Sequence, residues 1–420
     1  MLRGQKYLFE KHYLEEDMQN KERDTILPVA PLKIAALESC RDLAEKVNSH
    51  LIRMRKADGE HAESRKKSLH YRGYDAENFL LDINCPRFGT GEGKGQINES
   101  IRGTDLFVMV DITNYSLTYR VDGMLNHMSP DDHYQDLKRI VAAGISTAHR
   151  VNVIMPFLYE GRQHRRTKRE SLDCAYMLME LEKMGISNFI TFDAHDPRVQ
   201  NAIPLTGFAN YLPTYQFIKT CFQNIPDLKI DKDSLMIISP DEGAMDRAIY
   251  LATIMGVDLG MFYKRRDYSK VLNGRNPIVA HEFLGSSVVG KDVIIMDDMI
   301  SSGESMMDTA KNLKDRGCRR VIIFATFGLF TNGLDSFREK HKAGIIDYVC
   351  TTNLNYRTPE LLDEPWYLEA DMSTYLAHII HNINSDVSTS DGISSALKIR
   401  DFLDNLRRND DYEYFGTVID

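Results

Sequence analysis

Between Lys291 and Gly317 the chain reads KDVIIMDDMISSGESMMDTAKNLKDRG, and no other stretch restricts the fold as much. The run from Val293 to Met296 has the pattern of a strand covered on both faces. Two adjacent carboxylates follow, Asp297 and Asp298, and then a small polar loop, Ser301-Ser302-Gly303-Glu304-Ser305. Met306, Ala310 and Leu313 fall at i, i+4 and i+7, so a helix opens out of the loop, and Gly317 stands where that helix should stop. A loop that leaves a strand's carboxyl end and opens a helix offers backbone N–H groups and the positive end of the helix dipole, which suits a phosphate. Two acids beside it can hold ribose hydroxyls, directly or through a metal ion. The same residues also fit an ordinary strand-loop-helix unit with a charged turn.

Strand and helix patterns alternate through both halves of the chain, the mark of an α/β protein. At 420 residues it is long enough for two domains, each with its own core. The formal net charge of -9 argues against a general affinity for nucleic acid. No apolar run approaches the ~20 residues of a membrane span, and the start, MLRGQKYLFEKHYLEED, lacks the apolar core of a secretory signal. Cys40, Cys85, Cys174, Cys221, Cys318 and Cys350 occur singly, without a C-x-x-C pair, so they read as reduced thiols of a cytoplasmic protein.

Polar clusters recur at predicted strand ends. Gly89, Gly91, Gly93 and Gly95 alternate ahead of a strand from Leu106 to Val110, but without the Lys-Ser/Thr of a Walker A loop they fit a flexible hairpin. Ser129-Pro130-Asp131-Asp132 is a helix start. Beyond a strand from Val151 to Met155, residues 162–169 carry five cations in eight positions. They form either a solvated face or a ligand site past a strand's carboxyl end. Asp193-Ala194-His195-Asp196, after the strand from Phe189 to Phe192, is either a structural hydrogen-bond cluster or a ligand set. The strand from Leu235 to Ile238 leads to Asp241-Glu242-Gly243-Ala244-Met245-Asp246-Arg247, a segment able to take diphosphate with a metal. Lys264-Arg265-Arg266 follows the strand from Leu259 to Tyr263, and the polar residues Ser269 to Pro277 behind it make either a lid or a solvated loop.

Taken in order, these motifs resemble those of the ribose-phosphate diphosphokinases (PRPP synthetases), and the 297–305 loop resembles the PRPP loop of the phosphoribosyltransferase fold. The segments that carry the likeness are Ile97 to Asp105, Arg162-Gln163, Asp193 with His195, Asp241 to Arg247, Lys264 with Arg266, and Asp297 to Ser305. The resemblance runs from about residue 32 to about residue 390. It implies two doubly wound, phosphoribosyltransferase-like parallel-sheet domains in tandem, at 32–216 and 217–390, with extensions at 1–31 and 391–420. It further implies transfer of a diphosphoryl group from ATP to the anomeric hydroxyl of ribose 5-phosphate, giving PRPP and AMP, with Mg²⁺ as cofactor. The expected assembly is a homo-oligomer in which dimers build up to a hexamer.

Roles carried over from the family are as follows. Phe88 and Glu92 would line the adenine pocket of a neighbouring subunit, with Arg162, Gln163 and Gln200 also on ATP. Asp297, Asp298, Ser301, Ser302, Gly303 and Ser305 would hold ribose 5-phosphate, and Asp241, Gly243 and Arg247 the diphosphate. His195, Asp241 and Asp193 would bind the metal, and Lys264 and Arg266 would be catalytic. The chain departs from the family pattern at Thr90, His164, Asp246, Ser301 and Glu304, and residues 113–128 form an insertion. Two other readings stay open: a phosphoribosyltransferase that consumes PRPP, and a non-catalytic regulatory subunit that assembles with an active synthetase.

Overall fold

A computed structural model describes residues 27–64, 73–266, 278–389 and 398–404. The expected amino-terminal arm within 1–26, the segment from Ser269 to Pro277 and most of the tail beyond 390 lie outside the described residues.

Short apolar runs become buried parallel strands, and amphipathic segments cover them on both faces. The first unit comprises β1 (Leu32–Ala36), α1 (Arg41–Ser64), the hairpin β2 (Ile83–Asn84) with β3 (Gln96–Ile97), β4 (Asp105–Met109), and a second hairpin, β5 (Thr118–Val121) with β6 (Met124–His127). It continues through α2 (Pro130–Gly144), β7 (Arg150–Ile154), α3 (Asp173–Met184), β8 (Asn188–Phe192) and β9 (Gly207–Tyr211). Its sheet is parallel, in the order β1-β4-β7-β8-β9. Leu80 adds a parallel bridge to Ile34 on the free side of β1. The chain thus leaves β1 in one direction and returns to β4 on the other side, which makes the sheet doubly wound. Ser129 caps α2 in a reciprocal capping box with Asp132, as the Ser-Pro-Asp-Asp sequence predicts.

The second unit holds α4 (Thr214–Asn224), β10 (Leu235–Ser239), α5 (Met245–Met255), β11 (Asp258–Arg266), β12 (Ile278–Leu284), β13 (Asp292–Ile300) and α6 (Glu304–Asp315). After it come β14 (Val321–Gly328), α7 (Asp335–Lys342), β15 (Tyr348–Thr352), α8 (Pro359–Leu362), β16 (Tyr367–Ala370) and α9 (Ser373–Asn384). The order is β12-β11-β10-β13-β14-β15-β16, with β12 antiparallel to β11 and the other pairings parallel. Gly317 ends α6 in the left-handed conformation, with φ of 86°.

Four features differ from the reading of the sequence. The strand expected to stop at Met296 continues to Ile300, because β14 is long enough to keep pairing with it as far as Gly328. Lys264 and Arg266 are not past a strand's exit but within β11, opposite His281 and Ile278 of β12. The alternating glycines are not a loose hairpin: a Cβ on Gly93 would lie 2.6 Å from Arg139 Nη1, and one on Gly95 would lie 2.7 Å from the Arg139 backbone. They let the strand press onto α2. Finally, α9 folds back onto the first unit, where Leu376, Ile379 and Ile380 share a core with Leu43, Val47 and Leu51 of α1. No helix among the described residues is long and apolar enough to cross a membrane.

Candidate active site

Open α/β sheets bind ligands beyond the carboxyl ends of their strands, where the winding reverses. In the second sheet that point lies between β10 and β13. Asp241 follows β10, Asp297 and Asp298 sit in the last turn of pairing of β13, and the Ser301-Ser302-Gly303 loop comes next. Gly303 has φ of 84°, and a Cβ there would meet Phe337 Cζ at 2.4 Å, so both backbone and space demand glycine. Phe337 is itself held by Trp366, stacked at 5.6 Å, and by Phe330, edge-on at 4.9 Å. The loop therefore rests on an aromatic wall while α6 points its amino terminus at the crevice. Glu304 and Ser305 are exposed, so the glutamate can turn away from a bound phosphate.

The corresponding crevice of the first sheet, between β1 and β4, is filled. Asp111, just past β4, accepts hydrogen bonds from Thr113 N at 2.8 Å, from Thr113 Oγ1 at 2.6 Å, and from Tyr356 N of the second unit at 2.7 Å. Its own backbone N–H donates to Ser39 Oγ at 3.1 Å. The first sheet's switch point is thus occupied by its own hydrogen bonds, and the second sheet's carries the acids and the glycine loop.

The first unit instead contributes the end of β8. His195 Nδ1 lies 2.7 Å from Asp298 Oδ2. Arg247 Nε donates to Asp193 Oδ1 at 2.5 Å and its Nη2 to Ala194 O at 3.1 Å, while Thr326 Oγ1 donates to Asp193 Oδ2 at 2.6 Å. Arg247 Nη2 is also 3.7 Å from Asp298. Residues from both units thus meet in one ionic network.

The electrostatics divide the adjacent acids. Burial and the neighbouring Asp298 charge, with help from Asp241, push the Asp297 carboxyl well above the usual range. Burial presses on Asp298 too, but the hydrogen bond from His195 and the Arg247 charge outweigh it and hold its pKa down. The Asp298 hydrogen bond raises His195 against the opposing effect of burial.

A magnesium ion held through substrate phosphates needs only one or two protein ligands. Among the described residues no group of three or more His, Cys, Asp or Glu side chains forms a metal cage. His195 fits a ligand role, since Asp298 occupies Nδ1 and leaves Nε2 as the ligating atom. Asp241 also fits, its charge lying close enough to Asp297 to raise that group. Asp193 does not fit: both its oxygens are committed to Arg247 and Thr326, and it is 3% exposed. Arg247, expected on the diphosphate, is spent on the same pair, whereas Gly243 N takes part in a turn closed by Asp241 Oδ1 at 3.0 Å.

Other expected site residues are placed as follows. Arg162 is exposed, and Gln163 Nε2 donates to Ser171 O at 2.8 Å, bracing the basic loop. His164 lies against His195, ring centroids 5.4 Å apart, with Nε2 3.5 Å from Asp196. Gln200 is exposed in the short turn Pro197–Ala202. Phe88 (54% exposed) and Glu92 stand at the tip of the β2–β3 hairpin. Among the described residues no hydrogen bond or ion pair joins that tip to the cleft. By register, Asp297 is level with Phe262 across β10, and Lys264 lies two residues further toward the same carboxyl edge. With strands ~4.8 Å apart, the Lys264 backbone is on the order of 10 Å from that of Asp297.

Thr326 and Phe337 escaped the sequence reading, because an apolar strand and an amphipathic helix give no sign of what they face. The β5–β6 hairpin left a legible trace, the Asp122-Gly123 dipeptide, whose φ values of 49° and 78° make a two-residue turn.

Residues 32–185 match the family model described as the N-terminal domain of ribose phosphate pyrophosphokinase, and residues 213–351 match that of the phosphoribosyl transferase domain. Together the two take in more than half of the chain. A ribose-phosphate pyrophosphokinase of Vibrio cholerae is 26% identical over 316 residues, covering 74% of this chain and 90% of its own. One from Wolinella succinogenes is 29% identical over 280 residues, 65% of this chain and 79% of its own. A solved phosphoribosylpyrophosphate synthetase from Mycobacterium smegmatis has the same fold, with a TM-score of 0.63 at 20% identity over 85% of this chain and 99% of that one. The chain belongs to the ribose-phosphate pyrophosphokinase family.

Proposed function

We infer that the chain transfers the β,γ-diphosphoryl group of ATP to the anomeric hydroxyl of ribose 5-phosphate, producing PRPP and AMP. The observation that carries this reading is the meeting of His195, from the first unit, with Asp298, from the second, beside the Gly303 loop. A phosphoribosyltransferase needs only the second unit's crevice, whereas a donor nucleotide and an acceptor sugar phosphate need both.

Diphosphoryl transfer demands positioning and charge neutralisation more than covalent participation by the protein. Ser302, Gly303 and Ser305, with the amino terminus of α6, would seat the 5-phosphate, and Ser301 would border it. Asp297, raised by burial and its neighbours, and Asp298, held down by His195 and Arg247, would together hold the ribose hydroxyls. Mg²⁺, with His195 and Asp241 as its protein ligands, would neutralise charge on the ATP phosphates. Arg162 and its basic neighbours would face the nucleotide. Lys264 and Arg266, on the β11–β12 arm, would stabilise charge developing on the transferred group; removing one such donor costs about 10²–10³ in rate. Phe88 and Glu92 would serve the adenine of an adjoining copy in a dimer-based homo-oligomer working in the cytoplasm.

One observation favours the non-catalytic alternative. Asp246 is exposed where the family places a lysine, so a charge that would attract polyphosphate is reversed. A coupled assay for AMP separates the readings. AMP release from ATP that requires ribose 5-phosphate, with Mg²⁺ and phosphate present, is the expected result. Its complete absence at high enzyme concentration would rule out catalysis by this chain.

A further inference from the structure

The β5–β6 hairpin fills most of the 113–128 insertion, and it does not project idly into solvent. Its alternate residues Tyr119 and Val121 are partly buried, while Thr118 and Arg120 are exposed, so one face is turned to the protein. What that face meets is the base and tip of the glycine-rich β2–β3 hairpin. The Arg87 guanidinium lies over the Tyr119 ring, 5.3 Å from its centroid. The same guanidinium makes a two-pronged ion pair with Asp136 of α2, at 2.7 and 2.9 Å, and its side chain is only 8% exposed. Tyr119 is anchored in turn, its hydroxyl donating to Asp132 at 3.2 Å. Higher up, a Cβ on Gly91 would stand 3.0 Å from Val121 Cγ2, so the tip leans directly on that valine.

Arg87 pairs across the hairpin with Gly93, and a Cβ on Gly93 would come within 2.7 Å of Arg87 Nη1. The Arg87–Gly93 rung is therefore clamped between α2 and Tyr119. Above it only Phe88, Gly89, Thr90, Gly91 and Glu92 remain, closed by Phe88 N–H to Glu92 O at 2.7 Å. A five-residue tip with two glycines has many conformations open to it unless something fixes it, and Val121 braces it from outside at Gly91.

We propose that Tyr119 and Val121 are positioning residues for nucleotide recognition: the inserted hairpin fixes the Phe88–Glu92 tip in the orientation that receives an adenine ring. This rests on the reading that the tip lines an adenine pocket. Fixing the tip in advance removes an ordering cost from nucleotide binding without touching the diphosphoryl chemistry. The effect belongs in apparent ATP affinity and in discrimination among purines, not in turnover.

The test uses the full-length oligomer and Tyr119→Ala, Val121→Ala and Tyr119→Phe. In Tyr119→Ala, amide hydrogen exchange should accelerate in a peptide spanning 86–95, and KM for ATP should rise five- to twenty-fold. The ratio of kcat/KM for ATP over GTP should fall, with kcat and KM for ribose 5-phosphate within about twofold of the parent. Val121→Ala should move the same quantities less. Tyr119→Phe keeps the ring under Arg87 and should restore most of the ATP affinity. If the parent releases no AMP, the reaction assigned above fails on its own, and the dissociation constant of a non-hydrolysable ATP analogue replaces KM as the readout. Unchanged exchange in 86–95, or faster exchange with unchanged nucleotide affinity, overturns the proposal. So does an equal loss in kcat and both KM values.

Discussion

At the scale of single residues, Gly303 carries the tightest constraint. A left-handed backbone costs a residue with a Cβ about 1–2 kcal/mol, and here the Cβ would also strike Phe337. Gly303→Ala should lower the thermal midpoint and raise KM for ribose 5-phosphate with less effect on KM for ATP. An alanine variant with parental KM for the sugar phosphate would contradict the seat assigned to that loop. The adjacent acids illustrate how environment separates like groups: Asp298, tied to His195 and near Arg247, is held below the usual carboxylate range, and its charge helps push Asp297 above it. The order Asp-Asp-x-x-Ser-Ser-Gly made the loop legible in the sequence because small residues and acids at a strand end serve few purposes. The partners of those acids were not legible, since His195 and Asp298 are 103 positions apart and only the fold brings them together.

At the scale of elements, the end of β8 and the amino end of α5 are joined by the Arg247–Asp193 pair, whose side chains are 10% and 2% exposed. Breaking a buried pair by removing one partner strands the other charge and costs about 3–5 kcal/mol. Arg247→Met should show a loss of that size by denaturant unfolding, and adding Asp193→Asn should recover part of it. A loss below about 1 kcal/mol would mean the network does not hold the units together. The His195–Asp298 contact adds a pH dependence. Asp298 is lowered in the folded state, so its contribution is present above about pH 4 and fades as pH falls through the lowered value. His195 is raised, so its contribution is present below about pH 6.5 and fades as pH rises through the raised value. The deficit in thermal midpoint of His195→Gln should be largest near pH 5–6 and shrink by pH 9; a deficit independent of pH would contradict the pairing. The extent of β13 shows why element boundaries were harder to read than element types. Asp297 and Asp298 look like a loop in isolation, yet they stay in the sheet because β14 offers partners as far as Gly328.

At the scale of the molecule, two doubly wound sheets share one apolar layer. The core formed by β1, α1 and α9 includes Phe327 and Leu354 of the second unit, so the two halves do not fold as separate beads. Alternating strands and helices made the fold class evident from the sequence, but nothing in Leu376, Ile379 or Ile380 said that their helix would return to the first unit. That return fixes the two sheets relative to each other, with one switch point plugged at Asp111 and the other bearing Asp297 and Asp298. The central claim is that the β10–β13 switch point, with the end of β8 beside it, joins a nucleotide from one side to a sugar phosphate on the other. Phosphorus NMR of the full chain with ATP, ribose 5-phosphate and Mg²⁺ addresses it most directly. Loss of the three ATP resonances with matched growth of AMP and of the diphosphate and 5-phosphate signals of PRPP is the predicted result. Appearance of ADP instead, or an ATP spectrum that stays unchanged when ribose 5-phosphate is added, would contradict the account.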